Sequence, residues 1–348
     1  MVSPLLPQSY LDFQFYVDSL HKYASSWASV VDGFVQFYRD PFNHNVTGLI
    51  SGPMFPLLMG VSGFADGNFL PLALFYLAIS TGLTWAWLVW LRRHGVGGAW
   101  LVGFAVIPNP IWFTLVVSPD LLFAAEFAVF FFAYFSQEKS RTRTAIWLTA
   151  LALLILTRPN SFSIALFVAL DAAWMLVRGQ HVALPRAIGL TMLLVISGLY
   201  LFPYFVFEMN KAGNTLTYYG YTPFQYLQGL HPGLPAWLDL PISWLSLMFA
   251  KLAYFTGLRP SYGITPTAVV MLRAAAGFVL LPGLVLLLAA APWRIRALVA
   301  LYCLPFVLGP AQDRYYIAIF PVLYLYGAQA WTAVLRTLSG GARLATLR

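Results

Sequence analysis

Long apolar runs separated by short polar turns occupy the chain from residue 69 onward. The runs lie at roughly 69–91, 99–117, 120–136, 143–157, 160–177, 187–207, 266–290, 297–309 and 315–335. Most approach the ~20 residues a helix needs to cross a hydrocarbon core. The pattern therefore predicts an all-α polytopic membrane protein with about 9–11 transmembrane helices. Residues 46–65 are also apolar, but Gly48, Gly52, Pro53, Pro56, Gly60 and Gly63 interrupt them, which favours a re-entrant or half-buried helix over a clean span. Before them, Pro4, Pro7, Asp12 and Asp18 break the aromatic N-terminal region into interfacial helix and loop. The run 242–256 reads as an amphipathic interfacial helix bearing Lys251, because a full crossing there would reverse the side of Arg294 and Arg296.

Composition supports that class. Hydrophobic residues make up 60% of the chain, charged residues 9%, and the mean hydropathy is +0.74, whereas soluble domains carry about 25% charged residues. One domain over residues 1–348 is expected, with 1–66 as a first outer loop and 208–265 as a second. The net charge of +8 is explained by position more than by a nucleic-acid partner, since the basic residues sit mainly at helix ends. If Arg92 and Arg93 face the cytoplasm, alternation also places Lys139, Arg141, Arg143, Arg178, Arg186, Arg294, Arg296, Arg336, Arg343 and Arg348 there, twelve basic residues against Glu138 alone. The first acidic loop and the turns at Asp120, Arg158 and Arg314 then share the outer face. That order requires the chain to begin outside, through a helix upstream of residue 1 or an unconventional insertion of residues 1–30, and we favour a short N-terminus. No basic n-region followed by an apolar core marks a cleavable signal. Cys303, the one cysteine, excludes an intrachain disulfide.

Several residues are candidates for chemistry. Asp18, Asp32 and Asp40 gather in one aromatic-rich loop of a chain that has only twelve acidic residues. Asp18 is the first choice for a general base, against the plainer reading of a helix cap. Asp32 precedes Gly33, and an Asp-Gly pair is first of all a turn. Asp120 follows Ser118-Pro119, where it suits a helix N-terminus as well as a substrate. Arg158 and Arg314 stand on the outer side, where insertion bias does not demand arginine, so phosphate contact is favoured over snorkelling. Lys211 and Arg259 lie in the second outer loop, and Tyr315 and Tyr316 follow Arg314 in its turn. Glu126 and Asp171 fall within apolar runs without a basic residue in their own helices, and read as packed or neutral groups. The five histidines show no metal-ligand spacing, and no phosphate-binding glycine loop stands in a strand-turn-helix context.

A family resemblance rests on an ordered set of motifs. Asp18, Tyr23 and Ala24, then Asp32-Gly33 running to Tyr38-Arg39-Asp40-Pro41, then Gly52-Pro53 to Leu58, resemble the first outer loop of the GT-C glycosyltransferases. These are integral membrane enzymes that use polyprenyl-phosphate sugars. S-P-D-L-L-F from Ser118, L-T-R-P-N from Leu156 and D-R-Y-Y-I-A-I-F-P from Asp313 resemble later landmarks of that superfamily in the same order. The resemblance implies a GT-C-like bundle with interfacial helices in its outer loops. It also implies an inverting transfer from a polyprenyl-phosphate-linked sugar to a lipid, glycan or protein acceptor, without nucleic acid. An acid just after the first helix acts as base in such enzymes, which falls on Asp18, with Asp32 as competitor. Arg158, Arg314, Arg259, Lys211, Asp120, Tyr315 and Tyr316 would bind the substrate and its phosphate. No cofactor is implied, a divalent cation being left open, and the expected location is the bacterial plasma membrane with a periplasmic active site. The competing readings are a lipid or glycolipid transporter or flippase, and another membrane transferase of glycan or acyl groups.

Overall fold

A computed structural model describes residues 32, 35, 39, 52–63, 68–107, 117–138, 140–158, 161–179, 187, 189–191, 193–195, 198, 233–256, 267–308 and 313–339. Every regular element among them is helical. In chain order these are α1 (Met54–Val61), α2 (Leu70–Arg93), α3 (Gly98–Val106), α4 (Pro119–Tyr134), α5 (Arg141–Thr157), α6 (Phe162–Val177), α7 (Ala236–Phe255), α8 (Thr267–Ala290), α9 (Trp293–Leu308), a 3-10 segment (Asp313–Ala318) and α10 (Phe320–Ser339). One of them, α2, is long and apolar enough to cross a membrane by length and composition. Only 17% of its most apolar window is buried, and Leu74, Leu77 and Trp85 stand exposed along it.

Local sequence explains where these helices start and stop. Ser118 caps α4 by accepting from the Leu121 N–H at 3.5 Å, Pro119 takes the first helical position, and Asp120 lies in the first turn. Ser140 caps α5 in the same way, accepting from the Arg143 N–H at 3.1 Å. That helix stops at Thr157 because Pro159 forces the residue before it out of the helical region, and Arg158 is extended at φ −152°, ψ 137°. At the end of α2, Gly95 takes φ +80°, the left-handed conformation that closes many helices.

Contacts at known positions along each helix fix the directions. Arg158 at the end of α5 meets Asp120 at the start of α4, so these two helices are antiparallel. Tyr76, early in α2, donates to the Ser118 carbonyl at 2.9 Å, while Trp87, late in α2, packs on Phe131 near the end of α4, so α2 runs parallel to α4. Asp171 near the end of α6 pairs with Arg294 at the start of α9. Backbones of α8 and α10 approach closely at Gly283 and Gly327, where an added Cβ would lie 2.1 Å from the Leu323 carbonyl oxygen and 2.2 Å from that of Val279 respectively. Small residues permit this approach, as they do where helices associate in lipid. One end of the bundle consequently holds the starts of α4 and α6 and the end of α5. The other carries Arg92, Arg93, Arg143, Arg178, Arg294, Arg296 and Arg336.

Two sequence expectations are corrected in detail here. The helix expected over 242–256, α7, spans Ala236–Phe255, and on it Asp239, Ser243 and Lys251 are buried, whereas Trp237, Leu245, Ser246 and Phe249 are exposed. Ser243 donates to Asp239 at 3.0 Å within that packed face. The second correction concerns the run 315–335. Its first residues form the 3-10 segment, and α10 begins only at Phe320.

Candidate functional site

Four turns far apart in sequence meet at the end of the bundle away from the basic residues. Asp120 in the first turn of α4 pairs with Arg158 at 2.7 Å, and both side chains are less than a tenth exposed. The Arg158 guanidinium also sits 5.9 Å from the ring centre of Tyr315 in the 3-10 segment, within the range of a cation–π contact. Tyr315 stacks on Phe306 with centroids 5.0 Å apart, and its carbonyl accepts from the Tyr302 hydroxyl at 2.8 Å. The fourth turn arrives through Gly52, whose backbone lies directly against the Thr157 carbonyl, so that a Cβ there would sit 1.9 Å from the oxygen. Gly52-Pro53, Ser118-Pro119-Asp120, Thr157-Arg158 and Asp313 to Tyr316 are all parts of the motifs that carry the family resemblance.

Beneath the turns the polar groups continue inward. Thr157 donates to Glu126 Oε1 at 2.8 Å. Glu126 Oε2 and Ser161 Oγ are buried without a hydrogen-bond partner among the described residues, an uncommon state for buried polar atoms. At the same end of the bundle an apolar cluster of Phe55, Met59, Leu72, Tyr76, Val117, Leu121 and Leu122 joins α1, α2 and the start of α4. Buried as they are, Arg158 and Asp120 are protected from solvent screening.

The residues singled out in the sequence have different outcomes. Asp120, Arg158 and Tyr315 come together, and Tyr316 is fully buried beside them against Phe255, at a ring distance of 6.3 Å. The backbone of Arg314 belongs to the same 3-10 segment, adjacent to the ring that Arg158 contacts. Asp32 is helical and exposed. Asp18, Lys211 and Arg259 lie outside the described residues. Arg158 does not snorkel to a surface, nor is it an isolated cation awaiting phosphate, because Asp120 already balances its charge. Tyr302 was not among the sequence candidates, and its position in an apolar run gave no signal of its contact with Tyr315.

The basic end holds a second polar centre. Arg294 Nε donates to Asp171 Oδ1 at 2.9 Å, and its Nη2 and the Tyr134 hydroxyl both donate to Oδ2. Burial alone would disfavour the charged guanidinium, but bonding to Asp171 and Tyr134 outweighs it and raises the Arg294 pKa. Asp171 is thus not isolated within its apolar run. Its partner comes from α9, 123 residues away, where inspection of its own helix could not find it.

Among the described residues no group of three or more His, Cys, Asp or Glu side chains is placed to hold a metal ion. Comparison of the chain with protein-family models, with curated proteins and with solved structures finds no match.

Proposed function

We propose that this chain is a polytopic integral membrane glycosyltransferase of the GT-C type. It moves a sugar from a polyprenyl-phosphate carrier to a lipid, glycan or protein acceptor on the periplasmic face of a bacterial plasma membrane. The observation that carries the reading is the convergence of four motif-bearing turns at the end of the bundle opposite the arginines. By the positive-inside rule the arginine-rich end faces the cytoplasm, which leaves the four turns facing outward. Exposed apolar side chains on α2 and α7 fit contact with lipid.

In this reading Asp18 takes the proton from the acceptor hydroxyl, with Asp32 as the competing candidate. The freed oxygen attacks the anomeric carbon as the bond to the phosphate oxygen breaks, so the electron pair leaves with the lipid phosphate and the configuration inverts. Arg314, Arg259 and Lys211 supply net positive charge for that developing anion. Arg158 contributes a fixed donor fork more than net charge, since Asp120 offsets it. Tyr315 and Tyr316 shape the wall beside it.

The test is transfer by the purified full chain, supplied with a panel of polyprenyl-phosphate sugars and lipid extracts, with release of polyprenyl phosphate as the readout. Asp18→Asn is expected to abolish turnover while donor binding stays near that of the unmodified protein, because only proton abstraction is lost. Loss of turnover in Asp32→Asn alone moves the base to Asp32. Absence of phosphate release with every donor removes the proposal.

A further inference from the structure

At the basic end, a cavity of about 380 Å³ opens between the turn joining α2 to α3 and the last turns of α10. Val96, Trp100 and Ala328 form its apolar base, and His94, Gln329, Thr332 and Arg336 give it a polar wall. His94 is held in place: its ring lies against Trp90 with centroids 4.3 Å apart, and Nδ1 bonds to the Trp90 carbonyl at 2.8 Å. A carbonyl only accepts, so Nδ1–H donates to it, and Nε2 faces away from that bond and donates to a phosphate oxygen only in the doubly protonated ring. Arg92 and Arg93, both exposed, precede it directly. Gly97 lines the cavity as N-cap of α3 and has no side chain to cap that helix, so the positive end of its dipole adds to the basic field.

We propose that this cleft binds the phosphate headgroup of an anionic membrane lipid. A basic concavity between helices at the cytoplasmic end suits such a headgroup. The continuity of the surface argues for a lipid over a free phosphate. The cleft begins where α2 ends, the helix apolar and long enough to span, and Trp85 is exposed two turns before that end. On the other side Val334, Leu335 and Leu338 are exposed around Arg336. A headgroup seated against His94 and Arg336 would have its acyl chains beside apolar surface. Neither residue belongs to the proposed transfer site, which lies at the opposite end. The inference rests on the membrane reading and is independent of glycosyl transfer.

The test uses the full chain, purified in mild detergent, stripped of lipid and titrated with short-chain phosphatidylglycerol, phosphatidylcholine or inorganic phosphate. Occupancy is read by native mass spectrometry. Phosphatidylglycerol is expected to bind more tightly than phosphatidylcholine. Arg336→Gln should weaken it about fivefold, the effect of losing one basic contact near a lipid phosphate, Arg336→Glu should weaken it further, and His94→Gln should weaken it at acidic pH, where the ring carries both protons. Inorganic phosphate should not displace it. Both glutamine substitutions fall on exposed side chains, and thermal unfolding of each variant checks that the fold survives. Equal binding of phosphatidylglycerol by all variants overturns the site, and displacement by inorganic phosphate overturns the lipid assignment. Incorporation of the unmodified chain into neutral bilayers tests the membrane reading separately.

Discussion

Replacing Arg158 by methionine is expected to destabilise the protein by about 3–5 kcal/mol, because it removes the guanidinium that pairs with Asp120 in a buried site. Adding Asp120→Asn should recover most of that loss, since exchanging both members of a buried pair for neutral groups is often close to neutral. Thermal unfolding in detergent measures both variants. Turnover separates structure from function. If Arg158 only balances Asp120, the double variant regains turnover together with stability. If its guanidinium also holds the donor phosphate, as proposed here, the double variant is stable and slow, and Arg158→Lys is intermediate because a single ammonium cannot reproduce the planar fork. A stable double variant with full turnover removes Arg158 from the substrate site.

Gly52→Ala is the second substitution with a large expected effect. Two independent costs coincide at this position. The backbone has φ +145°, which side chains rarely adopt, and the added methyl carbon would overlap the Thr157 carbonyl oxygen at 1.9 Å. Backbone strain of this kind costs about 1–3 kcal/mol, and overpacking adds typically 1–3 kcal/mol. Relief requires α1 to separate from the end of α5, which would also displace Arg158. Gly63→Ala is the matched control. It too has positive φ, at +76°, but its nearest neighbour is the Asn68 Cβ at 3.9 Å, so only the conformational cost applies. Unfolding that is equal for the two variants would show that the Gly52–Thr157 contact does not hold the turns together.

The readable parts of this fold have local causes. Ser118-Pro119-Asp120 announces the start of α4, Pro159 dictates the end of α5, and the apolar run closed by Arg92-Arg93 outlines α2. Each signal acts within a few residues, so one sequence displays it. The packed side of α7 was not legible for a different reason. Asp239 and Ser243 are one turn apart and Lys251 falls on the same buried face, so the stripe itself is visible. Whether a polar stripe faces water or the interior depends on what surrounds the helix, which the stripe itself does not display. The Asp171–Arg294 pair and the Tyr302–Tyr315 bond join separate elements, and nothing local announces them. In the site, the motif residues were legible as types suited to phosphate and sugar. Their mutual neutralisation was not, since Asp120 and Arg158 are 38 positions apart and meet only because α4 and α5 are antiparallel.

The lipid-phosphate donor is expected to bind at the four converging turns. A polyprenyl phosphate bearing a photoreactive group next to the phosphate, activated on the full chain in a bilayer, measures this by the peptides it labels. Labelling is predicted at residues 118–122, 156–161 and 313–318, with competition by unlabelled polyprenyl-phosphate sugar. Labelling confined to residues 92–100 and 329–336 at the basic end would contradict the account, because the donor would then be held on the side opposite the turns assigned to its chemistry.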